Sequence, residues 1–192
     1  CRLLLGGRID RVDVGEDGGL FVIDYKTASA DINWSEVAHG LSLQLQAYLL
    51  ALRQHARKLT SMFGRKSLHP AGAFFQQIAV WPRTDAPPPS SQPPPTAEDL
   101  LVNYRRQGVF LESAARLLDC QVPPGGKSPF IKFKLNNDGS PSKTGCDAVT
   151  AKQFDRLLDK AESAMRQWAS AILAGDVAVA PYRLGNDSAC SR

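Results

Sequence analysis

The chain has 192 residues, enough for one domain with a buried core or one domain carrying an insertion. Hydrophobic residues make up 43% and charged residues 22%, ordinary values for a globular protein, and the net charge of +4 permits a polyanionic partner without requiring one. No apolar run approaches the ~20 residues needed to cross a bilayer, so a transmembrane helix and a membrane partner are excluded as expectations. The four cysteines, Cys1, Cys120, Cys146 and Cys190, form no close pair. A disulfide framework is not expected in a domain of this size, and Cys120 and Cys146 read as reduced cytosolic thiols.

The first two elements read as strands over residues 3–14 and 20–27, separated by the turn-forming run Gly15-Glu16-Asp17-Gly18-Gly19. A helix is expected from Ser35, as N-cap, to Lys58, with Leu41, Leu45, Tyr48, Leu49 and Leu52 on its apolar face. Residues 71–81 read as a buried strand. Residues 82–95 hold seven of the thirteen prolines and are expected to form an exposed, poorly ordered insertion away from the carboxylates. Thr96 and Asp99 resemble a capping box opening a short helix that ends near Gly108. Phe130 to Leu135 reads as a strand, followed by a turn at Asn136-Asn137-Asp138-Gly139. Thr150 and Gln153 form a second capping box, opening a long helix to Ala174 with Gly175 as its stop. Val177 to Tyr182 reads as extended. The order gives an α/β domain, a mixed sheet flanked by helices, spanning residues 1–192. The abrupt start in a strand-like run and the end at Arg192 are expected of a piece of a longer protein.

Asp10 and Asp24 each stand in a run of apolar residues, where a charge costs several kcal/mol unless it is paired or holds a metal. If Gly15 pairs with Gly19 across a three-residue turn, paired residues have numbers summing to 34, and Asp10 faces Asp24. Directly opposed residues share a face at about 5 Å between Cβ atoms, and Lys26, two residues beyond Asp24, joins them. Two carboxylates this close repel, and a divalent cation such as Mg²⁺ or Mn²⁺ relieves the repulsion while polarising a phosphate and a bound water. Lys26 then orients that water. A pair of ordinary hairpin carboxylates neutralised by Arg8, Arg11 or Lys26 is the competing reading of the same residues. On the following helix, Gln44 and Tyr48 are spaced i, i+4 and share a face, which an amphipathic helix edge also explains.

The set Gly-Arg-Ile-Asp-Arg-Val-Asp at 7–13, Asp24-Tyr25-Lys26 and Gln44-x-x-x-Tyr48 resembles the RecB-like branch of the PD-(D/E)XK nuclease superfamily. The stretch from Phe130 to Gly139, and the tail from Gly175 through Pro181-Tyr182-Arg183 to Cys190, resemble the AddB-type nuclease domain of that branch. The resemblance implies a restriction-endonuclease-like core and a Mg²⁺-dependent deoxyribonuclease acting exonucleolytically on DNA ends or single strands. It implies a helicase partner of the AddA type and a bacterial, cytoplasmic complex for double-strand break repair and recombination. Asp10, Asp24 and the backbone carbonyl of Tyr25 would hold the metal, Lys26 would be the catalytic lysine, and Gln44 and Tyr48 would support the site or touch DNA. The family usually adds a His or Glu ligand upstream of the first strand. His39, His55 and His69 lie on the wrong side of the motif to supply it. The family also often carries a [4Fe-4S] cluster, for which Cys190 stands where the first of three C-terminal cysteines belongs. Cys1 is too close to the motif to be the distant fourth, so a cluster is expected only in a longer protein. A Cas4-like exonuclease, and a non-catalytic DNA-binding or scaffolding domain of the same fold, are the alternatives.

Overall fold

In the computed structural model the described residues are Leu4, 6–27, 32–78 and 104–176, with the backbone pairing of 183–184 and 187–188. The expected proline-rich insertion, the Thr96/Asp99 cap, the extended Val177–Tyr182 segment, Cys1 and Cys190 lie outside them. A five-stranded mixed sheet has the order β1-β2-β3-β4-β5. Its strands are β1 (Arg11–Val14), β2 (Gly19–Lys26), β3 (His69–Gln77), β4 (Gln107–Leu111) and β5 (Ala148–Val149). β1 is antiparallel to β2, β2 parallel to β3, β3 antiparallel to β4, and β4 parallel to β5. A separate two-residue ladder joins β6 (Arg183–Leu184) to β7 (Asp187–Ser188).

β2 is an interior strand of the sheet, and its Leu20, Phe21, Val22 and Ile23 are all buried. A near-continuous apolar run of this kind suits a strand covered on both faces. Strand alternation divides it. Leu20 and Val22 join Leu45, Leu49, Leu52, Val109, Phe154 and Leu158 in a core under the long helices. Phe21 instead joins Phe74, Phe110, Ile131, Phe133 and Leu135 on the other face. Asp24 has the parity of Leu20 and Val22, so it emerges on the helical face where that core ends.

The helices α1 (Trp34–Ala38) and α2 (Gln44–Phe63) replace the single helix expected over 35–58. Asn33, not Ser35, caps α1, its side chain accepting from the amides of Ser35 and Glu36. The chain then breaks at Gly40, whose φ of +75° lies in the left-handed region. Leu41 falls in that break and is 39% exposed, so it is not part of the apolar face. β1 is also shorter than expected: residues 6–9 are not in strand, and pairing with β2 starts at Arg11.

Two further expectations are corrected. Gly108 lies inside β4 rather than at a helix end, since Gln107–Leu111 pairs with both β3 and β5. Phe130–Leu135 keeps the alternation of a strand, with Ile131, Phe133 and Leu135 buried and Phe130 exposed. It makes only isolated bridges, Arg106 to Ile131, Lys127 to Lys134 and Leu135 to Pro141. Pro129 and Pro141 lack the N–H groups that a continuous ladder would use. A 3₁₀ turn (Glu112–Ala114) and the short α3 (Ala115–Leu118) precede this segment. The Thr150/Gln153 capping box is present and opens α4 (Ala151–Leu173), which closes at Gly175 with φ +76°. No helix among the described residues is long and apolar enough to cross a membrane.

Candidate active site

The turn between β1 and β2 sets the register of the site. Gly15 N–H donates to Gly19 O at 2.8 Å, and Gly18 N–H to Gly15 O at 3.0 Å, enclosing a three-residue turn. Gly18 takes φ +86°, the left-handed position such turns require. The pairs run Val14↔Leu20, Asp13↔Phe21, Val12↔Val22 and Arg11↔Ile23, so the numbers sum to 34 as expected. Extended by one residue, this register brings Asp10 to Asp24 at the end of the hairpin. The Asp10 carboxylate there accepts the Tyr25 amide at 3.0 Å, one residue from Asp24. Asp10 is exposed and lies just outside the ladder, whereas Asp24 is buried at 3% exposure.

Three side chains converge on Asp24. The Lys26 ammonium lies 2.7 Å from its Oδ2. Gln44, the first residue of α2, donates Nε2 to Asp24 Oδ1 at 2.9 Å and accepts the Lys26 ammonium on Oε1 at 2.8 Å. One turn along α2, the Tyr48 hydroxyl receives a second Gln44 Nε2 bond at 3.0 Å and donates to the Arg8 carbonyl, also at 3.0 Å. The Gln44–Tyr48 spacing is thus a bracket, not a helix edge left to solvent. It ties α2 to the segment that carries Asp10 and fixes Lys26 on Asp24. The Lys26 ammonium also sits 5.1 Å from the centre of the Phe75 ring, within cation–π range. Phe75 is the β3 partner of Asp24. No local sequence signal marks it, because the contact arises from a parallel pairing between strands far apart in the chain.

The PD-(D/E)XK nuclease superfamily matches residues 2–192, nearly the whole chain. The chain belongs to this superfamily. Among similar proteins, an ATP-dependent helicase/deoxyribonuclease subunit from Desulforudis audaxviator is 37% identical over 194 residues, 97% of this chain and 16% of that protein. The proteins of the same name from Symbiobacterium thermophilum and Thermoanaerobacter sp. (strain X514) are 34% and 31% identical, over 98% and 96% of this chain. The chain spans about 16% of the length of these relatives. The mixed sheet flanked by helices agrees with the restriction-endonuclease-like core of the superfamily.

A PD-(D/E)XK domain implies a divalent cation, and the donor set here fits one. Asp24 Oδ2 is buried and accepts no hydrogen bond, because the Lys26 ammonium approaches it off the hydrogen-bonding direction despite the 2.7 Å separation. Asp10 gives one oxygen to the Tyr25 amide and keeps the other. Hard carboxylate oxygens suit Mg²⁺ or Mn²⁺, and Mg²⁺ is commonly held by one or two carboxylates together with substrate phosphate. No group of three His, Cys, Asp or Glu residues capable of holding a metal occurs among the described residues. His39, His55 and His69 are all exposed. On the opposite face of the hairpin, Arg11 pairs bidentately with Asp13 at 2.6 and 3.0 Å and donates to the Tyr25 hydroxyl at 3.4 Å. Those contacts, Asp13 first, push the guanidinium pKa up. Arg11 therefore neutralises Asp13 and not the candidate metal ligands. Cys120 and Cys146 are free thiols.

Proposed function

We propose that this chain is the metal-dependent DNA nuclease domain of a helicase–nuclease subunit, hydrolysing phosphodiester bonds at DNA ends as an exonuclease. Its whole protein would work with a helicase partner of the AddA type in double-strand break repair and recombination. The observation that carries the reading is the buried Asp24 carboxylate. One of its oxygens is bonded to Gln44, and the other meets only the Lys26 ammonium, as an ion pair at 2.7 Å without a well-directed hydrogen bond, next to Asp10. The relatives' name, with its deoxyribonuclease and helicase, supports the substrate and the partner.

Asp10, Asp24 and the Tyr25 carbonyl would hold Mg²⁺ or Mn²⁺. When bound, the cation supplies Lewis-acid activation of the phosphate and of the attacking water. Lys26 lies within reach of the same position, and its donors stabilise the negative charge that develops on the phosphate oxygens during attack. Gln44 holds Lys26 in place before substrate arrives, so little reorganisation is needed at the moment of reaction. Tyr48 holds Gln44, and through the Arg8 carbonyl it keeps the segment bearing Asp10 against α2. A [4Fe-4S] cluster involving Cys190 would belong to the longer protein.

The test uses intact protein with labelled single-stranded DNA and Mn²⁺. Asp24→Ala and Lys26→Ala are each expected to reduce cleavage by at least about a hundredfold with circular dichroism unchanged, the scale of removing one preorganised charge-stabilising group. Near-normal cleavage by Asp24→Ala protein would remove the basis of the reading. DNA binding that survives with no cleavage in the unaltered protein would instead favour a scaffolding domain.

A further inference from the structure

The described cations near the catalytic edge of the sheet differ in what holds them. Lys26 is paired with Asp24, Arg11 with Asp13, and Lys132 lies 3.7 Å from Asp147. Arg106 is held differently. Its Nε donates to the side-chain oxygen of Gln76 at 2.9 Å, and the Gln76 amide donates in turn to the Tyr104 carbonyl at 2.7 Å. A neutral amide orients the guanidinium without cancelling its charge. The contact uses Nε, so Gln76 does not engage the terminal nitrogens that form the phosphate-binding fork. The backbone is fixed as well: Arg106 N–H donates to Phe130 O at 2.8 Å and Arg106 O accepts from Lys132 at 3.2 Å.

Strand register places this arginine. Tyr25 pairs with Gln76 across β2 and β3. The β3–β4 pairing runs from Gly72↔Phe110 to Phe75↔Gln107, and one more step sets Gln76 opposite Arg106. Tyr25, Gln76 and Arg106 therefore form one row across three strands, spanning two interstrand steps, or about 10 Å. The row immediately adjoins Asp24 and Lys26 along β2, on the other face of the same strand end. The Tyr25 ring is exposed within it.

We propose that Arg106, braced by Gln76, binds a backbone phosphate of the DNA strand next to the scissile one. The strand would cross the end of the sheet from the carboxylate face to the Tyr25 face. This rests on the nuclease reading for its substrate, and it adds a DNA-binding position that no sequence motif marked. A charged fork on a phosphate contributes to affinity and to salt dependence and leaves the chemical step alone.

The experiment measures intact protein binding a fluorescein-labelled oligothymidylate by anisotropy, in EDTA, across a range of salt concentrations. Steady-state cleavage of the same strand in Mn²⁺ is measured in parallel. Arg106→Ala is expected to weaken binding roughly tenfold, the effect of one charged hydrogen-bonded contact. The slope of log K against log salt should fall by ~0.7, one phosphate contact on a single strand. KM should rise with kcat within about twofold, and Arg106→Lys, which keeps the charge but has neither the fork nor the Nε that Gln76 braces, should recover the slope and only part of the affinity. Unchanged affinity and slope in Arg106→Ala would overturn the proposal. So would a salt slope in Arg106→Lys as low as in Arg106→Ala, because a phosphate contact is counted by the charge that lysine keeps and a merely structural bracket is not. Asp24→Ala in the same assays separates the two readings. If it still cleaves, the nuclease site is wrong, whatever Arg106 shows in the EDTA binding series.

Discussion

Asp24 is the residue on which the site turns, because its side chain is only 5% exposed and carries a charge. Removing one partner of a buried ion pair costs about 3–5 kcal/mol, less when the partner reaches solvent, as Lys26 does at 34% exposure. Lys26→Met is therefore expected to lower the thermal midpoint in EDTA by several degrees. In the proposed site a divalent cation would take the place of the lost ammonium beside Oδ2, so millimolar Mn²⁺ should restore much of that loss. Asp24→Asn should show no metal-dependent rise at all. Differential scanning calorimetry with and without Mn²⁺ reads both, and equal metal responses in all three proteins would show that the cation does not sit on Asp24. The Asp10–Asp24 neighbourhood is legible in the sequence because hairpin register follows from counting turn residues, and Gly18 fits the one left-handed position. Gln44 and Tyr48 are legible as a face, though not as the clamp they form. Their partners, Asp24, Lys26 and the Arg8 carbonyl, are 18 to 40 residues away. Phe75 is illegible for the same reason, since it meets Lys26 only through the pairing of β2 with β3, and Arg106 takes its place beside Gln76 only through the pairing of β3 with β4.

At the scale of elements, glycines mark where periodicity misleads. The leucine spacing from Leu41 to Leu52 continues helically, but Gly40 turns the chain left-handed and α1 ends before α2 begins. A Cβ at Gly40 would come within 3.3 Å of Ala164 and 3.5 Å of Trp168 on α4, so the break also packs against α4. Gly40→Ala adds a left-handed alanine, a strain of about 1–2 kcal/mol. Gly108 is a harder constraint. A Cβ there would collide with the Ala73 carbonyl and lie 2.8 Å from Phe74, both backbone neighbours in β3 that cannot swing aside. Gly108→Ala is expected to destabilise the domain by more than about 3 kcal/mol, beyond the ordinary range for single substitutions, by prising β4 from β3. Urea denaturation measures the difference between the two variants, and a smaller loss for Gly108→Ala than for Gly40→Ala would contradict this account of the β3–β4 contact. The same glycine explains why a helix ending near Gly108 is a natural but wrong expectation. Glycine after a polar run signals a helix stop, and only the neighbouring strand reveals that it admits close backbone approach.

Over the whole molecule, the sheet face away from α2 and α4 is covered by a segment with little regular structure, residues 112–147. Ile131, Phe133 and Leu135 hold it to Phe74 and Phe110. Asp147 pins its end: the carboxylate accepts Gly108 N–H at 2.9 Å, and its main chain bonds Lys132 and Phe110. At 7% exposure, burial pushes the Asp147 pKa up from the usual carboxylate value, against the opposing Gly108 hydrogen bond and Lys132 charge. A folded-state pKa above the unfolded one means that folding favours the protonated form. Asp147 therefore contributes its greatest stability below the unfolded value of 3.8, and loses it as pH rises through the folded value. At neutral pH the ionised group is a net penalty in the fold. Asp147→Asn keeps an acceptor for the Gly108 amide and has no charge to desolvate, so it should match or exceed the unaltered protein in stability at pH 7. That advantage should shrink steadily on acidification through the folded pKa and vanish below about pH 3.8. Chemical denaturation of both proteins at a series of pH values, compared as a difference so that other titrating groups cancel, checks this directly. An advantage that grows on acidification would mean that Lys132 and the Gly108 amide, rather than burial, govern Asp147, and that the segment is held by an ion pair instead of by its apolar cluster.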